Sequence, residues 1–368
     1  MAALVEAQAP GKLVLAGEYA VLEGAPGLAV AVDVRAQARV RSIPGQANQL
    51  VIPDTGQQFR FHWVADSRPR WEKNSPGAFG LPLEVCAEIL TTRGLLPLAS
   101  GLPACEIELL TDAFYESGED GQRLKLGLGS SAAVVVALTG ALLRFAGAPA
   151  LARQELIDVC CEAHRRLQGG AGSGIDVATS ITGGAVAISM SRQPNTDIRI
   201  VQAQPVAWPR QLWLVAVWSG ASASTPAMLG RLRAFRERSP ARYSGHMQRL
   251  GATAGQAVAA WKADDVSGLL GAVASYESGL RRLDEAAGIG IFSAVHERLR
   301  EIAQGHSAVY KPSGAGGGDF GIALVDSHEA EQALRADYAA AGYMALDAAL
   351  CAPGLTVRGG ALPCVRRG

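Results

Sequence analysis

The chain has 368 residues, 49% hydrophobic and 18% charged, enough for a sizeable buried core and more than one core usually organises, so two domains sharing an interface are expected. Its 34 Lys and Arg balance its 34 Asp and Glu, which excludes the summed positive field that nucleic-acid or anionic-membrane binding draws on. The longest apolar run, Ala132 to Leu143, is shorter than the roughly 20 residues of a bilayer-spanning helix. The opening Met1 to Glu6 has no basic or apolar leader segment, so a cytoplasmic chain is expected.

In chain order, the runs Leu13 to Leu15, Leu28 to Val32 and Ala36 to Val40, separated by Gly, Pro and Glu-Gly breaks, read as a β-meander. Cys105 to Leu110 reads as a strand and Thr111 to Arg123 as a loop. Helices are expected at Ser131 to Phe145 and Leu151 to Leu167, then a strand at Ala185 to Ser189. The polar stretch Ser191 to Arg210, with Pro194, Pro205 and Pro209, reads as a boundary between domains at 1–200 and 201–368. Beyond it come a strand at Leu212 to Trp218, long amphipathic helices from Thr225 to Gln304, and strands at Ala308 to Tyr310 and Gly321 to Val325. A helix at His328 to Ala341 and a strand near Leu355 to Val357 follow. Without strict βαβ alternation, the pattern favours α+β layers over a doubly wound sheet. The six cysteines, scattered with no C-x-x-C pair, read as reduced and mostly buried rather than as a metal or redox site.

Glycine is 43 of 368 residues, against a usual ~7%, and it clusters. In Leu126 to Ala133 (LGLGSSAA), Gly127 and Gly129 precede an apolar helix, whose first-turn N–H groups and dipole suit a phosphate. The segment matches neither the Walker pattern nor G-x-G-x-x-G. A serine N-cap on a buried helix is the plainer alternative. Lys311 to Asp319 (KPSGAGGGD) has more glycines than a turn needs, which implies close backbone approach to a ligand, with a hairpin tip as the alternative. Gln168 to Asp176 presents a carboxylate behind a flexible loop, able to orient an attacking group in phosphoryl transfer or simply to cap a helix. Only five lysines occur beside 29 arginines. Three of them, Lys12, Lys125 and Lys311, adjoin the glycine motifs, as a preference for a compact ammonium at phosphate predicts.

Taken in order, Ala9-Pro10-Gly11-Lys12-Leu13 with Gly17-Glu18-Tyr19-Ala20-Val21, then Gly127 to Ala133, then Lys311 to Asp319, resemble the three motifs of the GHMP small-molecule kinases. Within that family the chain is most similar to phosphomevalonate kinases. Tyr19 stands where mevalonate kinases usually carry His, Asp319 where they usually lack an acid, and Ser219 to Thr225 resembles a serine-rich substrate segment. The resemblance implies a ribosomal protein S5-like N-terminal domain and a ferredoxin-like C-terminal domain, with ATP and substrate between them. It implies ATP-dependent phosphorylation of 5-phosphomevalonate to 5-diphosphomevalonate on the mevalonate route to isoprenoids, by a monomer or homodimer.

By the same resemblance, Lys125, Gly127, Leu128, Gly129, Ser130, Ser131, Ala132 and Ala133 would cradle the ATP phosphates, with Ser131 holding Mg²⁺. Lys12 would stabilise the transferred phosphoryl and Asp176 would orient or deprotonate the acceptor. Glu18, Tyr19, Ser173, Ser222, Ser224, Thr225, Gly316 and Gly317 would line the substrate site. In one departure, Arg165 occupies the position of the metal-binding Glu of mevalonate kinases. His164, Arg165 and Arg166 then either face a phosphorylated substrate or form an exposed basic helix face. Rival readings are a family kinase acting on mevalonate or a sugar, the related decarboxylase, and a ligand-binding protein without turnover.

Overall fold

The computed structural model describes residues 3–64, 68–73, 75–97, 102–118, 121–170, 172–192 and 199–360. The opening strands are longer than the apolar runs that announce them. β1 (Leu4–Ala16) and β2 (Gly27–Ser42) pair antiparallel along most of their length, and the Pro10-Gly11 break in the sequence is absorbed as a register shift. The expected meander is therefore one long hairpin. Its buried face is a row of alternating small residues, Val5, Ala7 and Ala9 on β1 against Ala36, Ala38 and Val40 on β2.

β3 (Asn48–Ile52), β4 (Gln57–Trp63), β5 (Pro69–Trp71), helix α1 (Leu81–Thr92) and β6 (Cys105–Leu110) follow. The stretch expected as a loop after β6 instead holds a small hairpin, β7 (Tyr115–Ser117) and β8 (Arg123–Lys125), with Arg123 stacked on the Tyr115 ring. Helices α2 (Ser130–Phe145), α3 (Arg153–Leu167) and α4 (Ile175–Thr182) precede β9 (Ala185–Arg192) and β10 (Arg199–Val206). The large sheet runs β10-β9-β2-β6-β3-β4-β5, with β1 on β2. Only the β3–β6 pair is parallel among its described pairings. α2 lies across β1 and β2 with thirteen of its sixteen residues buried, which is why its sequence is apolar on all sides.

The expected junction at 200–201 falls inside β10, which pairs with β9 along its whole length; Pro194 lies outside the described residues. Beyond β10 the chain forms a second layer. β11 (Trp213–Trp218) is followed by helices α5 (Thr225–Arg238), α6 (Pro240–Lys262), α7 (Val266–Ala287) and α8 (Ala294–Gly305). Strands β12 (Val309–Pro312) and β13 (Phe320–Val325), helix α9 (His328–Ala340) and β14 (Thr356–Gly359) complete it. β11, β13 and β12 form an antiparallel sheet. β14 returns to the large sheet beside β1, so the two layers are linked at both ends of the second one. The architecture is α+β, as expected. Four of the five described cysteines are buried and all five are free thiols; Cys364 lies outside the described residues. No helix among them is long and apolar enough to cross a membrane.

Candidate active site

The Gly127-Leu128-Gly129 loop delivers the chain to the N-terminus of α2. Gly129 occupies the N-cap in the left-handed region (φ +83°), and no side chain caps the helix. The serine-cap alternative is thus not what forms. Ser130 and Ser131 are the first two helical residues, and the first-turn N–H groups carry the positive end of the dipole without a side-chain acceptor. The loop reaches this position by crossing β1 closely, where the Lys12 N–H donates to Leu128 O (2.9 Å). A Cβ at Gly11 would stand 2.8 Å from that carbonyl. Gly127 is likewise obligatory: its φ is +76°, and a Cβ there would lie 2.1 Å from Asp319 Cγ.

Two charged side chains meet under this loop. β1 carries Lys12, buried to its ammonium, and α4 carries Asp176 in its first turn behind Gly174, with Lys12 Nζ 3.8 Å from Asp176 Oδ1. The N-cap of α4 is Gly174, so Asp176 is not the helix cap. α3 contributes His164, 3% exposed, whose Nε2 lies 2.9 Å from Ser131 Oγ and 3.1 Å from Gln168 Nε2. Burial holds the His164 imidazolium below its ordinary range; Asp176 opposes this, while Lys125 and Lys12 reinforce it. The ring is neutral at pH 7.

The other basic residues of α3 turn away. Arg165 donates to Cys161 O, and Arg166 pairs with Glu88 and Glu162 on the outer face. Glu162 is held low in pKa, against its burial, by Arg93 and Arg166. Of the trio, only His164 turns inward, onto Ser131, and Arg166 lies on the outer helix face that the alternative reading expected, because consecutive helical residues diverge by ~100°.

The second layer closes the site through the KPSGAGGGD segment. Lys311 is fully buried and bonds to Glu18, whose Oε1 also accepts from Gly314 N (3.3 Å). Lys311 was expected at phosphate; its ammonium is instead neutralised by a carboxylate nearly three hundred residues away. Burial pushes the Lys311 pKa down, and Glu18 opposes the shift. Glu18 Oε2 is buried without a partner among the described residues. Tyr19, in the left-handed region at φ +62°, donates its hydroxyl to Ala315 O, and Tyr276 donates to Glu18 O (2.6 Å). Asp319 Oδ1 accepts from Ala223 N (3.0 Å), and Ser222 donates to Lys125 O (2.6 Å), so this layer grips the Gly127 loop from outside. Burial raises the Asp319 pKa, opposed by the Ala223 N–H, Lys12 and Lys125.

Two cavities flank the α2 N-terminus. One, of about 130 Å³, brings together Lys12, Glu18, Tyr19, Ser173, Asp176 and Thr225, with His164, Leu22, Leu229 and Gly314 added by the fold. The other, of about 370 Å³, holds Lys125, Ser130 and Ser131 beside the apolar Phe79, Pro82, Val134 and Leu167. Four expected substrate residues lie off the first cavity. Ser222 is engaged with Lys125 O, Ser224 is the N-cap of α5, and Gly316 and Gly317 pack against Ile291 and Gly290, leaving Gly314 and Ala315 to face the cavity. Sequence reasoning missed Gln168, four residues after His164 on the same helical face, and the apolar wall from β3 to α1. Among the described residues no group of three or more His, Cys, Asp or Glu is placed to hold a metal ion.

A family model, GHMP kinases N terminal domain, matches residues 108–184, the span holding the end of β6, the glycine loop, α2, α3 and α4. The phosphomevalonate kinase of Streptomyces sp. (strain CL190) is 31% identical over 346 residues, 87% of this chain and 89% of that protein. In fold, a protein from Listeria innocua superposes with a TM-score of 0.81 at 22% identity, covering 96% of this chain and 99% of the other. The Streptococcus pneumoniae phosphomevalonate kinase in complex with phosphomevalonate and AMPPNP superposes at 0.73 and 21%, covering 94% and 99%. An identity of 31% across nearly the full length of both chains, on top of the three motifs converging at one helix N-terminus, places this chain in the GHMP kinase family.

Proposed function

We propose that the chain is a phosphomevalonate kinase, transferring the γ-phosphoryl of ATP to the phosphate of 5-phosphomevalonate to give 5-diphosphomevalonate and ADP. The observation that carries this reading is the identity with a phosphomevalonate kinase over 87% of the chain. The site supplies the chemistry. Adenosine fits the larger cavity against Phe79, Pro82 and Leu167, which leads its phosphates past Lys125 to the uncapped N–H groups of α2. The acceptor enters the smaller cavity, where Glu18, Tyr19, Ser173, Thr225 and Gly314 surround it and Lys12 and Asp176 lie at the end nearest the loop.

An acceptor phosphate is ionised at neutral pH, so Asp176 has little proton to remove and acts chiefly to orient the attacking oxygen. Lys12, fixed by burial and by Asp176, places a cation where charge develops on the transferred group without reorganisation. The donor set suits Mg²⁺, which keeps most of its ligands as water and phosphate: Ser131, among the hydroxyls that line the nucleotide cavity, would hold it, and no dedicated protein cage is present among the described residues. When bound, Mg²⁺ would neutralise charge on the β- and γ-phosphates.

The test is ADP release with Mg-ATP, comparing 5-phosphomevalonate with mevalonate, for wild type and Asp176→Ala. Turnover with phosphomevalonate alone, lost in Asp176→Ala, is expected. Turnover with mevalonate alone, or with neither, overturns the substrate assignment.

A further inference from the structure

A hydrogen bond links the lining of the nucleotide cavity to that of the acceptor cavity. Ser131 faces the cavity that holds Lys125, His164 faces the one that holds Lys12 and Asp176, and Ser131 Oγ lies 2.9 Å from His164 Nε2. The transfer chemistry makes no direct use of this histidine, yet it is 3% exposed at the centre of the site. It also sits beside Arg165, the position at which the family resemblance led one to expect a metal-binding carboxylate, and Arg165 is turned away onto Cys161 O.

A serine hydroxyl has one proton and two lone pairs, and its rotor is free unless something fixes the proton. Here a ring nitrogen does so. Gln168, one helical turn on, places its carboxamide nitrogen 3.1 Å from the same Nε2, and an amide N–H₂ can only donate, so Nε2 is the acceptor and shares its one lone pair between the amide and the Ser131 hydroxyl. The imidazole proton then resides on Nδ1. With its proton committed to His164, Ser131 Oγ turns its lone pairs away from the ring, on the side where the α2 N–H groups receive phosphate.

We propose that His164, in its Nδ1–H tautomer and braced by Gln168, is a positioning residue that fixes Ser131 Oγ as a lone-pair donor toward the Mg²⁺-nucleotide. It touches neither substrate nor metal and acts through Ser131. The proposal rests on the nucleotide reading above, and its test is arranged so that the two fail separately.

The experiment measures Mg²⁺-dependent binding of a fluorescent ADP analogue, without acceptor, by wild type, Ser131→Ala, His164→Leu, His164→Gln and the Ser131→Ala/His164→Leu double variant. Loss of the hydrogen bond in His164→Leu is expected to weaken binding about tenfold when Mg²⁺ is present and to leave Mg²⁺-free binding unchanged. His164→Gln, which restores an acceptor near the Nε2 position, is expected to bind within about twofold of wild type. The double variant is expected to be no weaker than Ser131→Ala. Losses that multiply in the double variant, or a folded His164→Gln as weak as His164→Leu, overturn the proposal.

Should the leucine variant fail to fold, ¹⁵N-histidine NMR of the wild type decides. An unprotonated Nε2 whose resonance shifts in Ser131→Ala is expected, and a protonated Nε2 refutes it. Absence of Mg-nucleotide binding by wild type would instead sink the nucleotide reading, and the NMR result would still judge the His164–Ser131 contact.

Discussion

His296, near the start of α8, ties the base of the second-layer glycine loop to the helices. It is fully buried, with Nε2 2.9 Å from Gly318 O and Nδ1 2.6 Å from Tyr310 Oη. A carbonyl can only accept, so Nε2 carries the proton and Nδ1 accepts from the tyrosine hydroxyl; the neutral ring has both positions filled. Burial lowers its pKa to about 4, with the Gly318 carbonyl and Glu297 opposing and Lys311 reinforcing. From about 6.5 unfolded to about 4 folded, the unfolded chain binds more protons than the folded one, so stability falls as pH drops through this window. The full contribution, present above about pH 6.5, is about 3 kcal/mol, and about 2 kcal/mol of it is gone by about pH 5. The assay is urea unfolding near neutral pH and at about pH 5, for wild type and His296→Gln. Other groups titrate in the same window, so the informative quantity is the difference between the two proteins, which is expected to shrink by about 2 kcal/mol on acidification. If both proteins lose stability in parallel, His296 titrates in the folded chain as it does in water, and the ring is not held neutral by its surroundings.

Lys311→Met leaves the Glu18 carboxylate buried without its cation and is expected to cost about 3–5 kcal/mol in urea unfolding. Adding Glu18→Gln should recover a large part, and a double variant as unstable as the single one contradicts this. Lys12→Met is expected to lower kcat by about 10²–10³ with little change in nucleotide binding, as loss of a preorganised cation at the transition state requires; an unchanged kcat in steady-state turnover removes Lys12 from the chemistry. Gly127→Ala places a methyl group 2.1 Å from Asp319 Cγ at a positive φ, and the KM for Mg-ATP is expected to rise at least about tenfold. Combining it with Asp319→Gly should relieve part of that rise, which the same titration reads.

Most of the framework was legible because the signals are local. The apolar run of α2 and the glycines before it announce a buried helix with a special N-terminus, and the structure puts that N-terminus between two cavities. What escaped the sequence is set by distant partners. Lys311 looks like a phosphate lysine until Glu18 is seen beside it, and nothing within ten residues of either one announces the pair. Arg166 looks like a substrate ligand until Glu88 of α1 turns it outward. The stretch after Ser191 reads as a domain boundary because proline is rare inside strands, yet Pro205 lies on β10, the edge strand of the sheet, paired with Val186 of β9, where a missing N–H is tolerated. The apolar wall of the larger cavity was invisible for another reason: Ile52, Phe79 and Pro82 come from separate short segments with no motif in common.

The distribution of charge in the finished site bears on how the proposed reaction must be balanced. Glu18 and Lys311 cancel each other, which leaves Lys12 and Lys125 against Asp176 and Asp319 around the glycine loop. Such a site is close to neutral before anything binds. ATP and a phosphorylated acceptor would each add several negative charges within a few ångströms, and two lysines already facing two carboxylates do not offset them. A kinase that relied on its own side chains would need a surplus of cations here, and the 29 arginines of the chain are the obvious supply. Arg123, which lines the larger cavity, is already paired with Asp54 and Asp112, and Arg165 and Arg166 are engaged elsewhere. The compensating charge therefore has to arrive with the nucleotide. On the proposed reading, the orientation of one neutral hydroxyl, Ser131, toward the incoming Mg²⁺-nucleotide would then count for more than the addition of another positive side chain.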